Sequence, residues 1–408
     1  MSNPGEESGL LRSKTSVLGR VPKEWEVVNL SDVFQLKQGI QCAVENQSRQ
    51  RREGYKRFIR IIDLTNPDES CRYIEDPGPA HHLGLNDLFM VRYGSPGLLG
   101  LGYEGVIANN LFRLLPKRNL DSLFYYHYLG SRQKDIAELS GSSTMAAVSF
   151  SSLRNLSLIY PPIAEQRVIG GVLSDLDTLL NSLGTLIAKK KAIKQGAMQQ
   201  LLTGKQRLPG FEGEWEVTSL DEVAYRVTGF WGSSDGDPNA PRAVGIIRAG
   251  DISPEGKLID TAPRYLSEPA YAKAKCDKAD IVITVSGNGL GKVWLCDGRP
   301  DVCASNFVRV LKPKGRATGA FLYYQFATER AQRLLTEYTA TSAYPNLRPN
   351  FFNVPWVPLP PLEEQSAIAT VLSDMDAELE ALAARRAKTA LLKQGMMQEL
   401  LTGRTRLV

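Results

Sequence analysis

The chain has 408 residues, of which 43% are hydrophobic and 23% are charged, and its formal net charge is +5. This composition is typical of a soluble globular protein and leaves room for two ordinary domains. No run approaches the roughly 20 apolar residues that span a bilayer, so the sequence argues against a membrane protein and we expect a cytoplasmic one.

The first 20 residues are polar, which is typical of a loose N-terminal tail. After this tail, short apolar runs and one helical pattern predict an α/β domain over residues 21–160. We predict strands at 25–30, 57–62, 88–92, 106–115 and 156–160, and a helix at 123–139.

A basic run lies within this first domain. Residues 49–60 contain six arginine or lysine residues against one acid, Glu53. Phosphate groups attract such side chains, although most basic runs are only solvated faces. The run therefore permits a nucleic-acid partner without requiring one.

Residues 161–210 carry a long helical pattern. Apolar residues recur at helical spacing from Ile169 to Leu201 and include Leu186 and Ile193, which predicts an amphipathic helix with a core-facing stripe. About 40 residues at 1.5 Å each give a rod of about 60 Å. A helix this long and this apolar on one face needs a partner.

Residues 211–358 repeat the α/β pattern, with predicted strands at 280–285, 292–295 and 306–311 and a predicted helix at 320–338. A glycine-rich loop, residues 287–292, follows the first of these strands. It lacks the spacing of a P-loop, and a strand rather than a helix comes after it. We therefore interpret it as a hairpin turn.

An internal repeat determines the predicted architecture. Residues 161–208 match residues 360–407 at a constant offset of 199, with 25 of 48 positions identical. Fainter matches join the two domains: Trp25 with Trp215, Arg60 and Asp63 with Arg248 and Asp251, Asn110 and Arg113 with Asn306 and Arg309, and Tyr125-Tyr126 with Tyr323-Tyr324. We predict two related units, whose two long helices form an antiparallel coiled coil with a pseudo-two-fold axis and hold the domains at opposite ends.

Signals of catalysis are weak. Glu255-Gly256-Lys257 has the form of a nuclease metal site, but it lies in a turn context and has no counterpart in the first domain. Residues 353–356 only vaguely match the base-extruding loop of amino-methyltransferases, and no cofactor loop accompanies them. The five cysteines and three histidines show no metal-ligand spacing. Cys296 and Cys303 could face each other across a hairpin, but reduced cysteines are the expectation, with no catalytic residue, metal or cofactor.

The repeated segment carries three motifs: PP-x-x-EQ, VLSDxD and KQG-x-MQ-x-LLTG-x-x-RL. They resemble the specificity subunits of Type I restriction-modification systems. The segments that open at Trp25 and Trp215, and the polar loops at 141–144 and 341–344, resemble parts of the target-recognition domains of that family. The likeness covers nearly the whole chain. It fits five segments: a tail at 1–20, target-recognition domains at 21–160 and 211–358, and spacer helices at 161–210 and 359–408.

The resemblance implies a non-catalytic DNA-recognition subunit. In that family each domain recognises one half of a split, asymmetric site in double-stranded DNA. The helices set the spacing and dock two methyltransferase subunits, which recruit restriction (motor) subunits. Two similar helices suit two copies of one partner, and two dissimilar domains suit two base sequences. The alternatives are a standalone DNA methyltransferase or nuclease, and a structural coiled-coil adaptor that does not bind DNA.

Candidate site residues follow from side-chain chemistry, since Arg, Lys, Asn, Gln, Ser and Thr contact base edges and phosphates. The candidate DNA-binding residues are Gln41, Arg49, Arg51, Arg52, Lys56, Arg57, Ser142, Ser143, Thr144, Trp231, Arg242, Ser286, Asn288, Lys292, Tyr344 and Asn346. The candidate docking residues, which we expect to be exposed, are Glu165, Gln166, Lys194, Gln195, Gln199, Glu364, Gln365, Lys393, Gln394 and Gln398. The alternative is an ordinary surface position for the first set and pairing between the helices for the second.

Overall fold

The computed structural model describes residues 13–16, 18–66, 68–140, 147–230, 244–259, 265–266, 274–340 and 345–407. The chain forms two compact units. Unit 1 comprises Met1–Gly184 together with Ala384–Val408, and unit 2 comprises Thr185–Ala383. Each unit therefore combines one α/β domain with segments of two long helices, α6 (Ile163–Leu201) and α10 (Leu362–Leu400).

The domain of unit 1 consists of short strands and short helices. Its strands are β1 (Ser13–Ser16), β2 (Gly19–Pro22), β3 (Glu26–Asn29), β4 (Phe34–Gln38), β5 (Tyr55–Ile59), β6 (Arg72–Glu75), β7 (His82–Leu83), β8 (Leu88–Val91), β9 (Leu99–Gly100), β10 (Gly105–Ile107), β11 (Leu111–Pro116) and β12 (Ser157–Tyr160). Its helices are α1 (Leu30–Val33), α2 (Ile62–Thr65), α3 (Ser122–Ser131), α4 (Gln133–Glu138) and α5 (Phe150–Arg154).

Two four-stranded sheets build this domain, in the orders β6-β5-β10-β7 and β4-β11-β8-β9. Strands β5 and β10 run parallel, whereas the second sheet is antiparallel throughout. Asp121 precedes helix α3 and caps it, because its carboxylate accepts a hydrogen bond from the Phe124 amide at 2.8 Å. The core packs around Trp25, Phe112 and Tyr125, with Leu400 and Leu401 from the end of the chain.

The domain of unit 2 repeats this plan. Its strands are β13 (Glu216–Thr218), β14 (Ala224–Thr228), β15 (Val244–Ile247), β16 (Tyr265–Leu266), β17 (Ile281–Thr284), β18 (Val293–Leu295), β19 (Val302–Ala304), β20 (Val308–Pro313), β21 (Thr339–Ala340), β22 (Asn346–Leu347) and β23 (Val357–Leu359). Its helices are α7 (Leu220–Val223), α8 (Gly319–Gln325) and α9 (Glu329–Glu337). The sheet β14-β20-β17-β18 corresponds to β4-β11-β8-β9, and the parallel pair β15 and β19 corresponds to β5 and β10.

Within each unit, a segment of α6 runs antiparallel to a segment of α10. In unit 1, Glu165 contacts Arg406 while the later residue Asp177 contacts the earlier residue Lys393. In unit 2, Lys190 contacts Glu378 and Lys194 contacts Asp376, in the same reversed order. The prediction of two mixed α/β domains with two long helices that pack against each other is confirmed.

The apolar stripe of α6 is buried only in part. Ile169, Leu173 and Leu201 are buried beside the two domains, whereas Leu186 and Ile193 are 38% and 47% exposed. The expectation that the whole stripe faces a core is wrong for Leu186 and Ile193, whereas Leu183 in the middle of the helix is buried. Among the helices that the structure describes, none has the length and apolarity needed to cross a membrane.

Several sequence correspondences between the units acquire a structural reason. The amides of Arg60 and Arg248 both donate to the aspartate three residues on, at 2.9 Å, which confirms that pair. In contrast, the helix caps Asp121 and Thr318 place α3 and α8 at an offset of 197, so our alignment of the two tyrosine pairs is wrong by one residue.

The corrected offset also applies to β11 and β20, because Leu114 pairs with Leu88 as Leu311 pairs with Ile281. Our alignment of Arg113 with Arg309 is therefore also one residue out. A shift of one residue in a strand moves a side chain to the opposite face. Arg113 and Arg309 therefore lie on opposite faces of their strands and are not equivalent.

Two turn predictions have different outcomes. Strands β17 and β18 pair antiparallel around the glycine-rich loop, so the hairpin interpretation is confirmed. Cys296 and Cys303 do not flank a hairpin, because β18 and β19 belong to different sheets. All five cysteines are free thiols.

The division into five segments stays a prediction, since each compact unit combines parts of several of them.

Candidate functional site

In unit 1, a buried carboxylate joins the long helix α6 to the α/β domain. Glu165, in the first turn of α6, accepts a hydrogen bond from Trp25 Nε1 at 3.2 Å and another from Arg406 Nε at 2.7 Å. Arg406 also donates to Glu24, at 3.0 Å. Arg406, which follows the second long helix, thus joins Glu24 of the first domain to the first long helix.

Unit 2 contains the same cluster made from the other copy of each motif. Glu364 accepts hydrogen bonds from Trp215 Nε1 at 3.1 Å and from Arg207 at 2.5 and 2.6 Å. Because Arg207 and Glu165 belong to the first repeat and Arg406 and Glu364 to the second, each cluster takes its arginine from one repeat and its glutamate from the other. The bonds raise the pKa of both guanidinium groups.

The neighbouring glutamines attach the helices to the domains. Gln166 accepts a hydrogen bond from the Asp121 amide and donates to the Pro161 carbonyl, at 2.9 and 2.7 Å. Gln365 makes the equivalent bonds to Thr318 and Pro360, at 2.9 and 2.8 Å. The PP-x-x-EQ motif therefore fixes where each helix leaves its domain.

A second contact repeats in both units and joins helix to helix. Lys393 Nζ lies 2.5 Å from Asp177 Oδ1, and Lys194 Nζ lies 2.5 Å from Asp376 Oδ1. The lysine of each KQG motif thus pairs with the second aspartate of the other VLSDxD motif.

These contacts correct the expected exposure of six candidate docking residues. Glu165, Gln166, Glu364 and Gln365 are buried, and Lys194 and Lys393 are largely enclosed by their ion pairs. They are buried because they hold the units together from inside. Gln195, Gln199, Gln394 and Gln398 are exposed, as expected.

Exposed apolar side chains accompany these glutamines on the helices. Leu391 and Leu392 are 69% and 55% exposed, and Ile193 and Leu186 also face solvent within the described residues. Large exposed apolar side chains on a helix are one feature of protein-binding surfaces.

In unit 1, three loops that could bind DNA start from one edge of the sheets. The first follows Gly39, where β4 passes so close to β10 that a Cβ atom would overlap the Ala108 carbonyl oxygen. The second follows β8, and the third precedes α5. An isolated bridge between Tyr93 and Ala147 joins the second loop to the third.

Arg92 joins the end of β4, where the first loop starts, to the second and third loops, and was missed by the sequence reasoning. Its Nη1 donates to Gln38 Oε1 at 2.7 Å, and its Nε donates to the Val148 carbonyl at 3.3 Å. Its guanidinium also lies 4.9 Å from the Tyr93 ring centroid and 4.7 Å from that of Phe150. In sequence it is only a strand-end arginine, and no spacing rule distinguishes it.

The equivalent edge of unit 2 has the same frame with different side chains. Gly229 occupies the position of Gly39, and a Cβ atom there would overlap the Ser305 carbonyl oxygen. A bridge between Ser286 and Asn346 joins the second and third loops. The structure thus brings together three predicted residues, since Asn288 lies in the same turn as Ser286. Lys292 lies at the far end of that turn, where its carbonyl accepts from the Thr284 amide.

The basic run of the first domain divides into two groups. Arg49, Arg51 and Arg52 are exposed in the loop that follows Gly39, as is Gln41. Arg57 instead lies 3.5 Å from Asp63 and stacks on Tyr103, and Lys56 lies 3.9 Å from Asp76. Ser142, Ser143, Thr144, Trp231, Arg242 and Tyr344 lie outside the described residues.

The described residues give no sign of a metal centre, since no group of three or more His, Cys, Asp or Glu side chains among them could hold an ion. Lys257 of the nuclease-like triplet forms an ion pair with Glu380. Burial raises the pKa of the Cys276 and Cys303 thiols, the latter to about 11, which makes them poor nucleophiles.

Comparison with known proteins gives a consistent result. The family model described as Type I restriction modification DNA specificity domain matches residues 22–195 and again residues 212–388. The chain is 24% identical to the Type I restriction enzyme MjaVIII specificity subunit of Methanocaldococcus jannaschii, over 95% of this chain and 94% of that one. It is 22% identical to the EcoBI specificity subunit of Escherichia coli, over 90% and 82% of the two chains.

Solved structures share the fold. A crystal structure of a Type I restriction-modification S subunit from M. genitalium superposes with a TM-score of 0.61 at 17% identity, over 92% of this chain and 96% of that chain. A second structure, from work on assembly and conformational transition of the Type I system, gives a TM-score of 0.51 at 16% identity, over 94% and 99%.

Proposed function

The chain belongs to the Type I restriction modification DNA specificity family, and from that premise we propose a division of labour between its parts. It is the DNA specificity subunit of such a system, and catalysis lies in other subunits. We propose that each domain recognises one half of a split site in double-stranded DNA, and that the long helices set the spacing and dock two methyltransferase subunits. Restriction subunits would then join through the methyltransferases.

One observation carries this proposal. Both units build the same contacts from the repeated motifs, while the loops supported by the common frame differ in sequence. Constant helices suit identical partners, and different loops suit different bases.

In the first domain, the loop after Gly39 supplies exposed Arg49, Arg51 and Arg52 for phosphate contact. Arg92 and Gln38 join the strand end from which this loop starts to the two other loops. In the second domain, Ser286, Asn288 and Asn346 take that place. Arg57 is tied to Asp63 and Tyr103, so its role is to support the loop.

For partner docking, the exposed glutamines of the KQG-x-MQ motifs remain: Gln195, Gln199, Gln394 and Gln398. The apolar residues Leu391, Leu392 and Ile193 lie on the same helices and supply buried area for a complex.

Methylome sequencing of cells that carry this chain with its methyltransferase subunit tests the proposal. We expect a bipartite modified sequence with two different halves. Exchanging residues 21–160 for those of another family member should change one half only. Methyl transfer by the purified chain alone, or sequence-independent binding at every salt concentration, would contradict the proposal.

A smaller variant tests the loop frame. Arg92→Ala should relax recognition in one half-site and leave the other half-site unchanged. Arg92→Lys should not restore it, because lysine lacks the planar fork that binds Gln38 and Val148 together. Arg118→Ala, which removes an arginine with an exposed ion pair to Glu26 on the same domain, serves as the matched control.

A further inference from the structure

One difference between the two units is a cleft beside the long helices. In unit 1, a cleft of about 1130 Å³ opens between α3, α6 and α10. Its lining includes Leu99 from β9, Tyr126 from α3 and Asn181 from α6.

In unit 2, a turn of the chain's own backbone occupies the corresponding position. The turn 253–257 packs against α8, where a Cβ atom at Gly256 would lie 2.5 Å from Tyr323 Oη and 2.8 Å from the Val293 carbonyl oxygen. Lys257 of the same turn forms an ion pair with Glu380 of α10. Only a glycine could approach the helix so closely.

The residues under this turn correspond one by one to residues of the open cleft. The helix caps align Tyr323 with Tyr126, and the repeat offset aligns Glu380 with Asn181. Val293 pairs with Ile283 as Leu99 pairs with Met90, which aligns these two. The cleft of unit 1 is therefore the open version of a place that unit 2 fills with a polypeptide turn.

A second observation points to a missing partner. His127 lines the cleft with 3% of its side chain exposed, and its Nε2 has no hydrogen-bond partner among the described residues. Its Nδ1 lies 3.8 Å from Asp177, too far for a hydrogen bond. The equivalent Tyr324 is satisfied, since it donates to Asp376 at 2.8 Å. A buried polar group without a partner is unfavourable and is typical of a site that something else completes.

The lining favours a protein over DNA. Large apolar side chains make up a substantial part of it, among them Leu85, Leu98, Leu101, Leu120, Leu123 and Met397. Two aspartates, Asp121 and Asp177, face a single lysine, Lys393, which disfavours a polyanion. The cleft also adjoins the helices to which the proposed function assigns the methyltransferase subunits.

We propose that the cleft of unit 1 receives a turn of one methyltransferase subunit, and that the turn 253–257 excludes the same insertion in unit 2. The inference rests on the proposed function, because it takes the partner from there. Its consequence is that two identical partners bind unequally: the copy beside unit 1 gains an anchored segment that the copy beside unit 2 lacks.

Stepwise binding of purified methyltransferase subunit to the whole chain, followed by native mass spectrometry, tests this inference. The wild-type chain should bind the first copy at least tenfold more tightly than the second. Asn181→Trp, which fills the cleft, should weaken the first step at least tenfold and change the second less than twofold. Ser182→Trp is the matched control, because Ser182 is the next residue on α6 and does not line the cleft. Equal effects of the two tryptophans would overturn the inference.

A photo-crosslink gives a second readout without a filled cleft. We expect p-benzoylphenylalanine in place of Leu85, at the rim, to crosslink to the methyltransferase at least five times more than the same group in place of Lys278, the corresponding exposed position of unit 2. Equal crosslinking at both positions would contradict the asymmetry. Absence of any complex with the wild-type chain would instead contradict the proposed function itself.

Discussion

Units 1 and 2 share one arrangement of contacts but differ in how deeply those contacts are buried and in whether the polar groups beside them are hydrogen-bonded. Both have the Trp–Glu–Arg cluster and the Lys–Asp pair, made from matching residues of the repeated motifs. Yet Trp25 is fully buried while Trp215 is only half-buried. His127 lacks a hydrogen-bond partner at Nε2 among the described residues, and its counterpart Tyr324 has one.

This difference shows that a repeated motif retains the contact between its residues, while the burial and hydrogen bonding of the side chains around that contact can change. The ion pairs recur because both partners lie inside the repeated segments and are retained in both copies. What surrounds them comes from the domains, which have diverged. Substitutions at matching positions should therefore have equal effects on the two units where a contact is shared, and unequal effects where its surroundings differ.

The largest difference should come from the two tryptophans. Trp25→Ala should lower the free energy of unfolding of unit 1 by about 4 kcal/mol, because it empties a fully buried position. Trp215→Ala should lower that of unit 2 by about half as much, roughly 2 kcal/mol, since its ring is already partly solvated. Hydrogen exchange followed by mass spectrometry measures the two units separately.

Tyr225→Ala is the control for the loss of an aromatic ring, because Tyr225 is 62% exposed. It should change protection in neither unit. Equal losses at Trp25 and Trp215 would mean that the two clusters are energetically alike and that the difference in burial has no effect.

The glycine crossings should instead behave alike in both units. Gly39→Ala and Gly229→Ala each force a methyl group against a carbonyl oxygen of the neighbouring strand, and each should destabilise its unit by about 2–3 kcal/mol. Gly171→Ala on α6 meets nothing within 4 Å and should stabilise slightly, by about 0.5 kcal/mol. Urea unfolding of the three variants is the measurement, and a neutral Gly229→Ala would show that the crossing is not shared.

These crossings also mark the limit of what the sequence could predict. Periodicity identified the long helices and the repeat, because the 3.6-residue spacing of apolar residues and the constant offset between the two copies are visible in the sequence itself. The eight predicted strands overlap nine of the 23 that the described residues contain, and the strand predicted at 306–311 lies two residues before β20. The alignment of β11 with β20 was one residue out, since a strand match carries no cap or turn to fix its register. The contact at Gly39 joins strands about 70 residues apart in the chain, and no local pattern records it.

The candidate site divides in the same way. Ser286, Asn288 and Asn346 were predicted by their chemistry and the structure brings them together. Glu165 and Gln166 were expected on the surface because charged and amide side chains usually lie there. Their burial depends on partners at positions 25, 121 and 406, which only the folded chain assembles.

His127 should make unit 1 more sensitive to acid than unit 2. Burial and the neighbouring Lys393 lower its pKa to about 4, against the opposing effect of Asp177. The unfolded chain takes up this proton near pH 6.5 and the folded chain does not, so stability present above pH 6.5 is lost as the pH falls toward 4. Between pH 7 and pH 5 the loss should be about 1–2 kcal/mol.

Urea unfolding at the two pH values, for the wild type and for His127→Gln, checks this expectation. Other groups titrate in both proteins, so the difference between the two pH dependences isolates His127. If the substituted protein loses as much stability as the wild type, the imidazole is not protonated on unfolding in this range. Tyr324→Phe, at the matching position of unit 2, should leave the pH dependence unchanged because a tyrosine does not titrate there.

The smallest effect should come from the turn that fills the cleft position in unit 2. Lys257 and Glu380 are each 59% exposed, and solvent screens such a pair, so Lys257→Ala should lower the stability of unit 2 by less than about 0.5 kcal/mol. Lys194→Ala, which breaks the better enclosed pair with Asp376, should lower it by about 1 kcal/mol. Hydrogen exchange in residues 252–258 measures the turn directly. A large gain in exchange there after Lys257→Ala would mean that the ion pair holds the turn in place, whereas protection near the wild-type level would assign that role to the packing of Gly256 on Tyr323.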